Sequence, residues 1–293
     1  MCIMTIVFVP TITYNQLMEN TKKFAVVGHP IAHSKSPEIH QLFASQFGFA
    51  LEYEKFDFSI DDFKKGVDNL KKQGFSGLNI TLPFKFEAYQ YCDKLSERAR
   101  KSCSVNTIIF RNDHVFGDTT DGIGLINDLQ LQNVILSSSN ILLIGAGGAA
   151  QGVLIDLLNT HPKQLAILNR TQVKAKKLVD EYQSEALQKN AGLILFNPSS
   201  HDCKFDLVIN ATSAGILGDD LPVPKSIFQS STFFYDMTYG KETAFLKAAK
   251  NCEAQFSDGL GMLVCQAAES FRLWHDGLEP HALEVIKKLQ KPS

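Results

Sequence analysis

The sequence predicts an α/β protein built as two domains. Its 293 residues exceed what one modest core organises. Short apolar runs alternate with amphipathic stretches almost throughout, and the cluster Ser137-Ser138-Ser139-Asn140 separates two such alternating blocks.

In the first block, Phe24-Ala25-Val26-Val27-Gly28 is an apolar run ending in glycine, as a buried parallel strand does. Ser36-Pro37-Glu38 then offers an N-cap, a proline at the first helical position and an acid in the first turn. Ile39, Leu42, Phe43 and Phe47 follow on one helical face. The pattern continues with a strand over 53–58 and a helix from about Asp61 that turns Phe63, Val67 and Leu70 inward. A strand over 75–80 completes βαβαβ, the order of a parallel sheet covered by helices. Runs at 105–110 and 115–117 flank the turn signal Asn112-Asp113 and predict a hairpin at the sheet edge, and 121–131 reads as a helix.

The second block predicts strands over 141–144, 165–168, 206–210 and 232–235, with helices over 148–159 and 173–187. Two more helices, about 261–274 and 280–289, follow after the block closes and are expected to pack back on the first domain.

Composition narrows the function classes. A formal net charge of -2 without a long basic run excludes a phosphate-backbone partner, so no nucleic acid is expected. No apolar run approaches the roughly 20 residues of a membrane-spanning helix. Six scattered cysteines without a CxxC pair read as reduced thiols of a cytoplasmic protein, with no metal site and no disulfide framework. The apolar opening MCIMTIVFVP lacks the basic start and cleavage site of a signal peptide; residues 1–17 read as an edge strand, a loose arm, or a segment preceding a start at Met18. No heptad pattern sets an oligomeric state, and a monomer or homodimer is expected.

The strongest local motif is Gly145-Ala146-Gly147-Gly148-Ala149-Ala150, placed after the apolar run 141–144 and opening a helix. Gly145 permits a tight turn, Gly147 lets a pyrophosphate approach the backbone, and Ala150 keeps helix and strand close. Free N–H groups at the helix start hold the anion. The next strand ends Leu168-Asn169-Arg170-Thr171, with a guanidinium where NAD sites carry an acid. Arg170 suits a 2′-phosphate, and Lys174 one turn on adds charge, so NADP is the expected cofactor.

Polar residues also collect at the predicted carboxyl ends of the first sheet, where ligands of open α/β sheets bind. They are Ser34 and Ser36, then Asn79, Thr81 and Lys85, then Asn106 and Asp121. Each alone is an ordinary cap, turn or solvated residue. Together they supply hydroxyls, amides, one cation and one anion, a set suited to a polyhydroxylated anionic small molecule.

The stretch Gly28-His29-Pro30-Ile31-Ala32-His33-Ser34-Lys35-Ser36-Pro37 resembles the opening signature of the shikimate dehydrogenase family. The resemblance runs through 79–85, Val105-Asn106-Thr107, Asp121-Gly122, 145–150, Asn169-Arg170-Thr171, Asn210-Ala211-Thr212-Ser213, 235–239 and 258–262, covering essentially the whole chain from Lys23. It implies a substrate domain (1–121 with 258–293) and a Rossmann NADP-binding domain (122–257), with a cleft between them. It implies that Ser34, Ser36 and Tyr239 bind a carboxylate, while Asn79, Thr81, Asn106 and Gln266 contact ring hydroxyls or the carbonyl edge. Lys85 and Asp121 are implied as the catalytic pair. Residues 145–150 are implied for the pyrophosphate, Asn169, Arg170, Thr171 and Lys174 for the adenosine phosphate, and Thr212, Met237, Gly259 and Met262 for the ribose and nicotinamide.

The chain departs from the family pattern at Cys103-Ser104, where Gly-Ala is usual, at Thr119, where asparagine is common, and at Lys174, where arginine is frequent. The implied reaction is reversible NADPH-dependent reduction of 3-dehydroshikimate to shikimate, with Lys85 as proton donor and oxyanion stabiliser and Asp121 orienting it. A quinate or dual quinate/shikimate dehydrogenase remains a rival, as does a non-catalytic NADPH-binding sensor. Gly122, Gly124, Gly259 and Gly261 read equally as hinge points or as ordinary loop and helix-end glycines.

Overall fold

The computed structural model describes residues 22–199, 204–212 and 223–290. Residues 1–17 and Ser213, singled out above, lie outside the described residues, as do Cys2 and Cys203.

The first sheet contains β1 (Lys23–Gly28), β2 (Glu52–Asp57), β3 (Phe75–Ile80), β4 (Lys94–Leu95), β5 (Thr107–Arg111) and β6 (His114–Asp118) in the order β2-β1-β3-β5-β6-β4. β1 pairs in parallel with β2 and β3, whereas β5 runs antiparallel to both β3 and β6. β1 is buried along almost its whole length, which is why it reads as one continuous apolar run rather than an alternating one. The hairpin is not at the edge: two-residue β4 pairs with β6 beyond it, and a strand that short leaves no periodic signal.

Helix α1 (Ser36–Gln46) begins at Ser36, so the expected Ser36 N-cap is corrected: Lys35 stands at that position without a capping side chain. The reason lies in the serines themselves, because the Ser36 hydroxyl accepts from Ser34 and Ser34 Oγ accepts from the Ser36 amide. The second helix opens as a 3-10 turn at Ile60–Asp62 before α2 (Phe63–Lys72) buries Phe63, Val67 and Leu70. Helices α3 (Lys85–Tyr91) and α4 (Glu97–Ser102) then lead to β5, and α5 (Asp121–Leu131) leaves this sheet.

The second sheet contains β7 (Asn140–Ile144), β8 (Gln164–Leu168), β9 (Gly192–Leu195), β10 (Leu207–Asn210), β11 (Phe233–Asp236) and β12 (Phe256–Ser257). Its order β12-β11-β10-β7-β8-β9 is the doubly wound dinucleotide-binding arrangement, reversing between β10 and β7. Helices α6 (Gly148–Asn159), α7 (Gln172–Gln188) and α8 (Ala244–Asn251) cover it. α9 (Leu260–Trp274) and α10 (Ala282–Gln290) return to α1, where Phe43, Val264, Phe271 and Val285 share one core.

Helices α5 and α9 cross at glycine. A Cβ on Gly124 would stand 2.7 Å from the Gln266 amide nitrogen, and one on Gly261 would overlap Asp128 Oδ1. Tyr235 of β11 donates to the other Asp128 oxygen at 2.6 Å, tying this crossing to the second sheet. A Cβ on Gly259 would likewise overlap the Met237 carbonyl. These glycines mark close approaches between elements. Among the described residues no helix is long and apolar enough to cross a membrane.

Candidate active site

A cavity of about 340 Å³ opens between the carboxyl ends of the first sheet and the start of α9. Ser34, Ser36, Asn79, Thr81, Lys85, Asn106, Asp121, Tyr239 and Gln266 all line it, as do Met237, Gly259 and Met262. The sheet explains the convergence, since Val26 of β1, Asn79 of β3 and Thr107 of β5 stand side by side; the chain turns toward the cavity after β1 and β3 and enters antiparallel β5 from that side. His33, in the polar run that also holds Ser34 and Ser36, lines the cavity too, whereas Val26, Ile31, Ile80, Leu82 and Leu263 line it and escape a reading of the sequence, because apolar residues carry no distinct chemical signal.

Lys85 opens α3 and Asp121 opens α5, so both side chains project from helix starts. Lys85 Nζ donates to Asp121 Oδ2 at 2.5 Å, and Asn106 Nδ2 donates to Asp121 Oδ1 at 2.9 Å. Both carboxylate oxygens are thus taken, and Asp121 is fixed in place. The peptide dipoles at the start of α5 favour that carboxylate as well. A Cβ on Gly152 of α6 would lie 3.5 Å from Asp121 Oδ2, an ordinary contact distance, so α6 runs directly beside the pair. Burial raises the Tyr239 phenol above its ordinary range and keeps it a neutral hydroxyl.

Asn106 is itself held. Its Oδ1 accepts from the Thr120 amide at 2.9 Å, from Thr120 Oγ1 at 3.1 Å and from Thr107 Oγ1 at 2.9 Å. With its oxygen saturated, the amide can only direct N–H toward Asp121 and Gln266. Behind this, Arg98 binds Asp118 through two 2.8 Å bonds and reaches Glu269 at 2.9 Å, clamping the segment that leads into Asp121. Burial works against charge on Glu269, but hydrogen bonds from Arg272 and Arg98 hold its carboxyl below the ordinary range. None of this clamp is legible in the sequence, since its members lie up to 171 positions apart.

The glycine loop lies at the carboxyl end of β7. Gly145 takes φ +122, a region that favours glycine, and a Cβ there would meet the Ala211 carbonyl at 3.1 Å and Thr212 at 3.2 Å. Gly147 and Gly148 face open space, where a Cβ would meet nothing within 4 Å. No side chain caps α6 and no acid occupies its first turn, so its leading N–H groups are offered to an anion. Asn169, Arg170, Thr171 and Lys174 sit at the neighbouring end of β8 and the start of α7, all but Asn169 exposed. This cradle fits a dinucleotide, and its basic rim fits an additional phosphate.

Such a fold, with a glycine cradle beside a polar cavity holding a lysine–carboxylate pair, defines an oxidoreductase that uses a nicotinamide dinucleotide. Residues 26–108 match the family described as "Shikimate dehydrogenase substrate binding domain", 128–217 match "Shikimate / quinate 5-dehydrogenase", and 259–289 match "Shikimate 5'-dehydrogenase C-terminal domain". The NADP(+) shikimate dehydrogenase of Methylobacillus flagellatus is 44% identical over 275 residues, covering 92% of this chain and 98% of that one. Among solved structures, an Ael1 enzyme from Pseudomonas putida superposes with a TM-score of 0.85 at 37% identity, covering 92% of this chain and 99% of that one. The shikimate 5-dehydrogenase of Thermus thermophilus, solved in complex with NADP(H) and shikimate, gives a TM-score of 0.80 at 30% identity, covering 91% of this chain and 97% of that one. The chain belongs to the shikimate dehydrogenase family.

Proposed function

We propose that this chain is an enzyme that reversibly reduces 3-dehydroshikimate to shikimate with NADPH, a step toward aromatic compounds. The single observation that carries the reading is the Lys85–Asp121 pair, 2.5 Å apart, set between the polyhydroxyl-binding cavity and the dinucleotide cradle. A sensor would have no use for such a pair.

In this reading 1–121 with 258–293 form the substrate domain and 122–257 the NADP domain, working in the cytoplasm as a monomer or homodimer. Ser34, Ser36 and Tyr239 hold the carboxylate, and Asn79, Thr81, Asn106 and Gln266 hold the ring hydroxyls. Gly145, Ala146, Gly147, Gly148, Ala149 and Ala150 hold the pyrophosphate, with Asn169, Arg170, Thr171 and Lys174 around the 2′-phosphate. Thr212, Met237, Gly259 and Met262 border the ribose and nicotinamide.

The bound cofactor supplies the hydride to C3 of the ring. Lys85 manages the proton. As charge grows on the ketone oxygen, Nζ stabilises it and transfers its proton there; in the reverse direction Nζ takes the hydroxyl proton. Asp121 holds Nζ on course. Asn106 fixes Asp121 in turn. Selection of shikimate over quinate rests on the polar lining of the cavity, where an extra ring hydroxyl must find its own partner.

Deuterium transfer tests the reaction directly. With NADPH carrying deuterium at both C4 positions of the nicotinamide and 3-dehydroshikimate as acceptor, the shikimate formed should carry deuterium at C3. Product without the label would sink the hydride assignment.

A further inference from the structure

Behind the floor of the cavity, two buried side chains converge on one atom. The Tyr53 hydroxyl donates to Asn79 Oδ1 at 2.7 Å, and His40 Nε2 lies 3.0 Å from the same oxygen. Both are buried and neither lines the cavity. Their rings stack with centroids 4.6 Å apart, and Phe43, Phe271 and Trp274 enclose His40 on its other sides.

Burial drives the His40 imidazole down to about 3, helped by nearby His275 and opposed by the bond to Asn79. Burial likewise holds His275 down at about 4, so both rings are neutral near pH 7. A neutral imidazole facing an amide oxygen carries its one proton on that nitrogen, so Nε2 is the donor. Nδ1 has no hydrogen-bond partner among the described residues.

Two donors fill the two lone pairs of Asn79 Oδ1. With Oδ1 toward them, both Tyr53 and His40 donate to it. Asn79 Nδ2 points the other way, donating to Ser270 Oγ at 3.0 Å, with the Asn106 carbonyl at 3.4 Å and Thr107 Oγ1 at 3.5 Å. Ser270 shares a 2.7 Å bond with Thr107 Oγ1, which joins this network to Asn106 and so to Asp121.

We infer that Tyr53 and His40 are positioning residues for the substrate: by filling Asn79 Oδ1 from behind they hold the orientation of an amide that lines the cavity. This deepens the reading given above and rests on it.

Tyr53→Phe in the full chain removes one donor and keeps the ring. KM for shikimate should rise about fivefold, the size of one lost or misdirected hydrogen bond, with kcat and KM for NADP within about twofold. The Kd of shikimate for cofactor-free protein, by calorimetry, should shift in the same ratio. His40→Gln retains an N–H donor and should stay closer to wild type than His40→Leu, and this pair decides the matter if Tyr53→Phe does not fold. Unchanged KM and Kd in Tyr53→Phe, a parallel loss in all constants, or equal behaviour of Gln and Leu at position 40 would each overturn the inference. Turnover of shikimate by the wild type separates that result from a failure of the underlying reading.

Discussion

Asp156 of α6 packs its carboxylate against Gly122, the residue after Asp121, so closely that a Cβ there would overlap Asp156 Oδ2. That oxygen is buried without a hydrogen-bond partner among the described residues. Burial pushes the Asp156 carboxyl up to about 6; Arg98 and a side-chain hydrogen bond from Asn159 draw it down, while Asp118 and Asp121 add to the rise.

An acid raised in the folded state binds its proton more tightly there than in the unfolded chain. Native stability is therefore lost as pH climbs from the ordinary aspartate value, about 4, to about 6. Asp156→Asn should gain about 1–3 kcal/mol at pH 8, and the gain should vanish below about pH 4. Urea denaturation at the two pH values measures it. An equal effect at both would show that the carboxyl is not titrating between them.

Gly124→Ala should prise α5 from α9, because the added Cβ meets the Gln266 Cβ at 2.6 Å and its backbone nitrogen at 2.7 Å. Overpacking of this kind costs about 1–3 kcal/mol. Since Gln266 lines the cavity, KM for shikimate should rise too, and thermal melts with steady-state kinetics report both.

Lys85→Ala should lower kcat about 10²–10⁴-fold, the usual loss of a proton-transfer group, while KM for shikimate changes far less. A raised KM with kcat intact would make Lys85 a binding residue.

Arg170→Ala should raise KM for NADP much more than KM for NAD, because a guanidinium pairs with the 2′-phosphate that only NADP carries. Equal effects on both cofactors would remove Arg170 from that role.

The dinucleotide cradle is legible in the sequence because its chemistry is local: glycines 145, 147 and 148 follow one strand and open one helix. The Asn79–Lys85 stretch is legible for the same reason, and the sheet places its members in one cavity. His40, Tyr53 and Ser270 are not, since each is a single residue whose own element gives no pattern that marks it. They meet only when α1, β2, β3 and α9 have packed, with Asn79 and Ser270 separated by 191 positions. Ser36 reads as a cap in the sequence because hydroxyls suit helix starts and ligand pockets alike. Cys103 stands out there only as a departure from the family pattern. The structure places it at φ 48, a left-handed C-cap where glycine is easier, which accounts for the family's usual residue at that position.

The most direct test is NADPH formation by absorbance with the wild-type chain, comparing shikimate and quinate, each with NADP and with NAD. The account predicts clear preference for shikimate with NADP. Preference for quinate or for NAD would contradict the specificity drawn from the cavity and Arg170, and no turnover by folded protein with any pair would contradict the catalytic reading of Lys85 and Asp121.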